Sequence, residues 1–379
     1  MKAGWQIKKL GDICDILDNQ RKPITKRDRK VGEYPYYGAT GILDLVEGYL
    51  FDEDLVLVGE DGAKWVSGEN TAFAVTGKCW VNNHAHVLRP HRSELTDSWL
   101  IHYLVHSDLL EFVSGMTVPK LNQGSLREIP IPLPPLPEQQ RIVIILNEAF
   151  ECIAIASANA KKNLANAREL FESYLQSVFT NKGEGWEGKT LGEIADVEYG
   201  YTDKSTEEGD YRYIRITDID KNGELILDEK KYIKYSKEAK SFLVEDNDLL
   251  MARTGATFAK VLLYKDYQPS VFASYLIRIK FNGKIENELY WYFTKTQFYW
   301  EQANNLSSGA AQPHFNGKAV KQLIFPYPKS VKEQKVLIDK FNALSKETKK
   351  LEAIYKQKLS LLEELKKSIL NQAFTGQIA

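Results

Sequence analysis

Residues 146–178 read LNEAFECIAIASANAKKNLANARELFESYLQSV, and one apolar stripe runs through them. Leu146, Phe150, Ile153, Ser157, Ala160, Leu164, Ala167, Phe171, Tyr174 and Val178 follow at steps of 4 and 3 without a break, and only Ser157 is polar. A sustained 3.5-residue period is the pattern of a coiled-coil seam. Residues 337–369 repeat it through Leu337, Phe341, Leu344, Thr348, Leu351, Tyr355, Lys358, Leu362, Leu365 and Ile369, with Thr348 and Lys358 as exceptions. At the standard rise each helix is roughly 60 Å long, longer than a domain of this size is wide, about 35–40 Å. The simplest partner for each helix is the other, antiparallel because a domain must fit between them. The alternative is that each helix packs on its own domain.

Outward from the helices, the chain repeats itself. Gly4-Trp5 followed by Leu10-Gly11-Asp12-Ile13 recurs as Gly185-Trp186 followed by Leu191-Gly192-Glu193-Ile194, a shift of 181. Gly115, Pro119, Asn122, Pro132 and Pro134 recur as Gly309, Pro313, Asn316, Pro326 and Pro328 at a shift of 194, and Glu138-Gln139 as Glu333-Gln334 at 195. Between these anchors the copies differ strongly, which is what two unlike readers in one geometry require. Strand-like stretches (55–58, 85–88, 213–217, 248–252, 275–279) broken by glycine turns, with one amphipathic helix per copy near 97–113 and 287–304, give each copy α+β character. The proline-rich segment 130–137 separates the first copy from its helix.

A chain of 379 residues, 43% hydrophobic and 27% charged, has room for two domains and connectors. The three cysteines, Cys14, Cys79 and Cys152, are odd in number and widely spaced, which points to reduced thiols in the cytoplasm. The longest aliphatic run, 142–146, is too short to cross a bilayer, and the N-terminus lacks a secretory apolar region. The net charge of −1 does not by itself suggest nucleic acid, so any duplex binding rests on local patches or on partners.

Several motifs mislead. Residues 183–190, GEGWEGKT, fit the phosphate-loop pattern, but a long helix precedes them and β-rich sequence follows, the reverse of what a phosphate loop needs. No NPPY-like or DPPY-like adenine-methylating segment is present, and no nucleophile–base set stands out by spacing. His84 and His86 alternate along an expected strand with no acidic or cysteine partner evident, so neither a catalytic nor a metal site is expected. The aromatic runs Tyr34, Tyr36, Tyr37 and Tyr290, Trp291, Tyr292 read as core.

YPYYGA at 34–39, VNNHAHVL at 81–88, YIRITDI at 213–219, RTGA at 253–256 and IPIPLPPLPEQQRI at 129–142 resemble the specificity subunits of type I restriction–modification systems. The likeness runs through the chain in the order domain, helix, domain, helix, although the second junction, FPYPKS at 325–330, has fewer prolines. It implies an α+β fold with an internal pseudo-two-fold repeat: target recognition domains over 1–136 and 183–329, joined by antiparallel coiled-coil helices over 137–182 and 330–379. It further implies a non-catalytic protein that reads a bipartite double-stranded DNA site. Two methyltransferase subunits, which bind S-adenosylmethionine, would dock on the helices, and a restriction subunit would join through the complex. This chain itself would bind no cofactor and would meet no membrane. A coiled-coil scaffold or a self-contained DNA-modifying enzyme is the alternative.

Base edges and phosphates call for Arg, Lys, Asn, Gln and Thr. The first domain offers the loop 21–30, six basic residues in ten including Arg21, Lys22, Lys26 and Arg27, which reads as a phosphate contact or as a solvated loop. It also offers Lys64, Lys120 and Asn122. The second offers Arg215, Thr217, Arg253, Thr254, Lys260, Gln312 and His314, Arg253 and Thr254 because a glycine turn at a strand end can project them.

Overall fold

In the computed structural model, which describes residues 4–115, 117–307 and 314–378, the second copy repeats the order of the first copy's main sheet. In the first, a four-stranded antiparallel sheet has the order Cys14–Ile16, Ala85–Pro90, Leu55–Gly59, Ala72–Val75. In the second the order is Ala195–Tyr199, Leu276–Phe281, Leu249–Ala252, Val261–Leu263. Leu55–Gly59 and Leu249–Ala252 are central, flanked on both edges, and buried throughout, as uninterrupted apolar runs require. A second sheet in each copy contains a parallel pair, Tyr37↔Val81 in one and Tyr213↔Val271 in the other.

The recurring sequence anchors have structural causes. Leu10–Ile13 and Leu191–Ile194 form single-turn helices that bury their leucine and isoleucine. A Cβ on Gly11 would lie 3.0 Å from Arg127, and one on Gly192 would lie 3.2 Å from Lys321, so each glycine permits a close approach to the next short helix. The proline segments are strands: Pro130–Leu133 pairs with Gln6–Lys9, and Ile324–Pro328 with Trp186–Thr190. GEGWEGKT therefore ends in a paired strand, Lys189 opposite Phe325.

The long helices run Leu136–Thr180 and Val331–Thr375 without a break. The chain divides into two compact units, Met1–Ala160 with Lys358–Ala379, and Lys161–Gln357. Within the first, Arg141 meets the carbonyl of Ile378 and Lys366 lies over the Phe150 ring, an antiparallel pairing. Within the second, Arg168 bonds Glu352 at 2.9 Å and Tyr174 packs on Phe341, antiparallel again. The helix ends also enter the domain cores: Ile142, Leu146, Leu370 and Ala373 join Trp99 and Leu104, while Leu175, Phe179, Ile338 and Phe341 join Leu289 and Phe293. Mutual pairing and packing on the domains thus coexist.

Three sequence expectations are corrected. The seam of the second helix departs from the expected line at three places: Leu351, Lys358 and Leu365 are exposed and their neighbours Glu352, Leu359 and Lys366 are half-buried, whereas Phe341, Thr348, Tyr355, Leu362 and Ile369 keep the line. The expected helix near 287–304 is two, Asn287–Phe293 and Gln297–Leu306, because the Thr294 and Thr296 hydroxyls bond back to the Trp291 and Phe293 carbonyls and Thr296 caps the second. Finally, although the run 142–146 is short, the helix Leu136–Thr180 as a whole is long and apolar enough, by length and composition only, to cross a membrane.

Candidate DNA-recognition interface

In each copy the central buried strand ends in a turn whose glycine has positive φ, +71° at Gly62 and +77° at Gly255, a conformation that disfavours side chains. The residue leaving the strand is held by the same pair of backbone bonds in both copies. Glu60 N–H donates to His84 and its carbonyl accepts from Leu121 at 2.8 Å, while Arg253 N–H donates to Tyr275 and its carbonyl accepts from Phe315 at 2.8 Å. Isolated bridges join Asp61 to Lys120 and Thr254 to His314. Lys120 in the first copy and Arg253, Thr254 and His314 in the second are therefore brought to matching places. Gln312 lies outside the described residues.

The chemistry at the two turns is opposite. In the first copy Arg21 donates to Glu60 at 2.5 Å and to the Ala85 carbonyl at 2.7 Å, and lies 3.3 Å from Asp18, with a side chain only 12% exposed. Lys120 pairs with Glu60 at 2.9 Å, which raises its pKa. His86, fully buried, faces Asp18 at 2.6 Å and the Leu121 carbonyl at 2.7 Å, and His84 contacts Asp61. Burial pushes the Asp18 carboxyl up, but His86 and Arg21 prevail and hold it below its ordinary value. Acidic partners for both histidines thus exist, from segments distant in sequence. Asp18, Glu60 and His86 converge with the spacing of a cation site, and the Arg21 guanidinium bridges two of them.

In the second copy Arg253 lies 4.9 Å over the Tyr199 ring, and its buried Nε has no partner among the described residues. The Tyr199 hydroxyl accepts from Gly317 N–H at 2.6 Å, which fixes the ring under the guanidinium. Tyr199 and Tyr275 are exposed. The turn Ile216–Asp218 lies close by, Ile216 being 3.5 Å from where a Cβ on Gly255 would be, and Thr217 is exposed there.

Other expected contacts are engaged differently. Arg215 forks onto Asp218 at 2.6 and 3.2 Å, closing its own turn rather than offering free donors. Asn122 precedes a short helix and donates to Ser114 at 2.7 Å, and its repeat counterpart Asn316 caps a helix by accepting from Ala319 N–H. Lys64 is exposed beside Glu69 at 3.3 Å. Lys22, Lys26 and Arg27 are exposed on the basic loop, which Arg29 anchors by lying 4.4 Å over the Tyr36 ring. Lys260 lines a separate pocket.

Sequence reasoning missed the repeated glutamine. Gln139, fully buried, accepts from Thr96 N–H and donates to the Glu94 and Pro134 carbonyls. Gln334, also fully buried, accepts from Glu286 N–H and donates to the Lys284 and Pro328 carbonyls. Each ties the start of a long helix to its domain. The repeated Glu-Gln dipeptide was the available signal.

The chain is thus a duplicated α+β domain, each copy ended by a long helix and each carrying a different polar set at one matching turn. The chain belongs to the type I restriction modification DNA specificity domain family, whose model matches residues 2–166 and again 183–361. It is a specificity subunit and not an enzyme. A putative type I restriction enzyme specificity subunit of Haemophilus influenzae is 41% identical over 140 residues, covering 37% of this chain and 36% of that protein. The MjaVIII specificity subunit of Methanocaldococcus jannaschii is 22% identical over 99% of this chain and 93% of its own length. Among solved structures, a chain from a study of assembly and conformational transition of the type I restriction–modification system superposes with a TM-score of 0.77 at 17% identity, covering 100% of this chain and 99% of that one. The HsdS subunit of Thermoanaerobacter tengcongensis gives 0.62 at 17% identity, covering 100% and 98%. At these identities the structural likeness shows the fold.

Proposed function

We propose that the chain reads a bipartite double-stranded DNA site in the cytoplasm, one half-sequence per domain, and that its long helices set the gap and dock two methyltransferase subunits, with a restriction subunit recruited through the complex. S-adenosylmethionine belongs to the methyltransferase in this reading. The observation that carries it is the Arg253 guanidinium, held at a strand end over Tyr199 with a buried donor unsatisfied. Among the described residues no hydrogen bond or ion pair engages the guanidinium, and its N–H fork matches the two acceptors on a guanine major-groove edge. The basic loop with Lys22, Lys26 and Arg27, together with Lys64, serves phosphates in the first domain. Thr217, Thr254 and His314 contribute the second domain's further contacts, and Gln312 is proposed as a contact from its sequence position alone.

The test is Arg253→Ala in the chain expressed with its methyltransferase, followed by mapping of methylated adenines. One half-sequence should become degenerate, with a loss of about 1–3 kcal/mol at that base pair, while the other half stays sharp. Equal weakening on all sequences would make Arg253 a phosphate contact and remove the base-reading claim.

A further inference from the structure

Within the unit Lys161–Gln357, a pocket of about 740 Å³ opens where the second domain meets the paired helices. That is the size of a small-molecule site. Six cationic side chains and three carboxylates line it. Two of the carboxylates are engaged: Glu352 by Arg168 and Lys356, and Glu224 by Lys349. Three lysines remain without a carboxylate. Among the described residues, no hydrogen bond or ion pair reaches the ammonium of Lys221 or Lys260. Lys295 donates to the Asn222 carbonyl and lies 3.7 Å over the Trp291 ring. Trp300, half-buried and edge-on to Tyr299, adds an aromatic wall.

The shared architecture does not require this chemistry. Lys260 accepts through its carbonyl from Ala252 N–H as Thr71 does from Gly59 N–H, so Thr71 is its counterpart, and the Thr71 hydroxyl is bonded to the Lys64 carbonyl. At this position the cation is particular to the second copy. Two ammonium groups without an ion pair, Lys221 and Lys260, together with Lys295 beside an aromatic wall, attract an anion with a flat ring.

We propose that this pocket binds a phosphate-bearing planar small molecule of the nucleotide class, its phosphates met by Lys221, Lys260 and Lys295 and its ring by Trp300. The site lies beyond the DNA-reading function and does not depend on it. Burial pushes Lys295 down to about 8, with Glu224 and Asp220 opposing and Lys349 reinforcing the fall. Binding therefore weakens as pH rises through that value and the positive charge is lost.

The experiment is calorimetric titration of the full chain with ADP, adenosine and pyrophosphate, without divalent metal. ADP should bind saturably, and each of the other two at least tenfold more weakly. Lys221→Met and Lys295→Met should each weaken ADP at least tenfold while the melting temperature stays within a few degrees. Four results overturn the proposal: no saturable ADP binding; unchanged affinity in both variants; pyrophosphate binding as tightly as ADP, which removes the ring; or displacement of ADP by an unrelated DNA duplex, which makes the pocket part of a nucleic-acid track. Should Lys295→Met fail to fold, Lys221→Met and the pH dependence still decide the matter.

Discussion

Arg21 and Arg253 are both arginines of the DNA-contact class by sequence, and their surroundings give them different work. Arg21 sits between two carboxylates with a side chain 12% exposed, and breaking a buried ion pair by removing one partner costs roughly 3 kcal/mol or more. Arg21→Ala should therefore lower the melting temperature, whereas Arg253→Ala should leave it nearly unchanged and alter recognition. Equal melting temperatures for the two variants would contradict this division. Spacing alone could not separate them, because the partners of Arg21 include Glu60, 39 positions away. His106 gives a pH signature. Burial pushes its imidazole down to about 4, reinforced by Lys366 and His102, from 6.5 in an open chain. As pH falls through that window the unfolded chain takes up a proton that the fold refuses, so this stability is complete above 6.5 and is lost towards 4. His106→Gln should flatten the acid arm of melting temperature against pH. An unchanged arm would show that other groups govern it.

At the scale of elements, the two buried glutamines fasten helix starts to domains. Gln334→Leu would leave the Glu286 N–H and the Lys284 and Pro328 carbonyls without their partner. The cost should be about 1–3 kcal/mol in chemical denaturation, and a neutral result would reduce the glutamine to a filler. The first seam was legible in the sequence because its contacts are apolar: Ile153, Ala160 and Ala167 are buried as the 3.5-residue period requires. The second was only half legible. Phe341 and Thr348 are buried on the expected line, but Glu352 occupies a place that the pattern gave to Leu351. It is tolerated there because Arg168 on the facing helix pairs with it, and a hydropathy pattern carries no record of a partner 184 positions away. Strands were legible from apolar runs. The polar networks at the turns were not, since each is assembled from segments distant in sequence.

For the whole molecule, the repeat fixes a common frame and the unlike turns fill it, acidic at Glu60 and cationic at Arg253. The proposal that follows is geometric: the helices act as a spacer between two readers. One heptad added to both helices preserves the seam, lengthens each by about 10 Å, and corresponds to about three base pairs at roughly 34 Å per turn. The decisive measurement is a map of methylated adenines from cells expressing the extended chain with its methyltransferase. The account predicts both half-sequences unchanged and separated by about three more unread base pairs. The original gap, or a single undivided site, would contradict it.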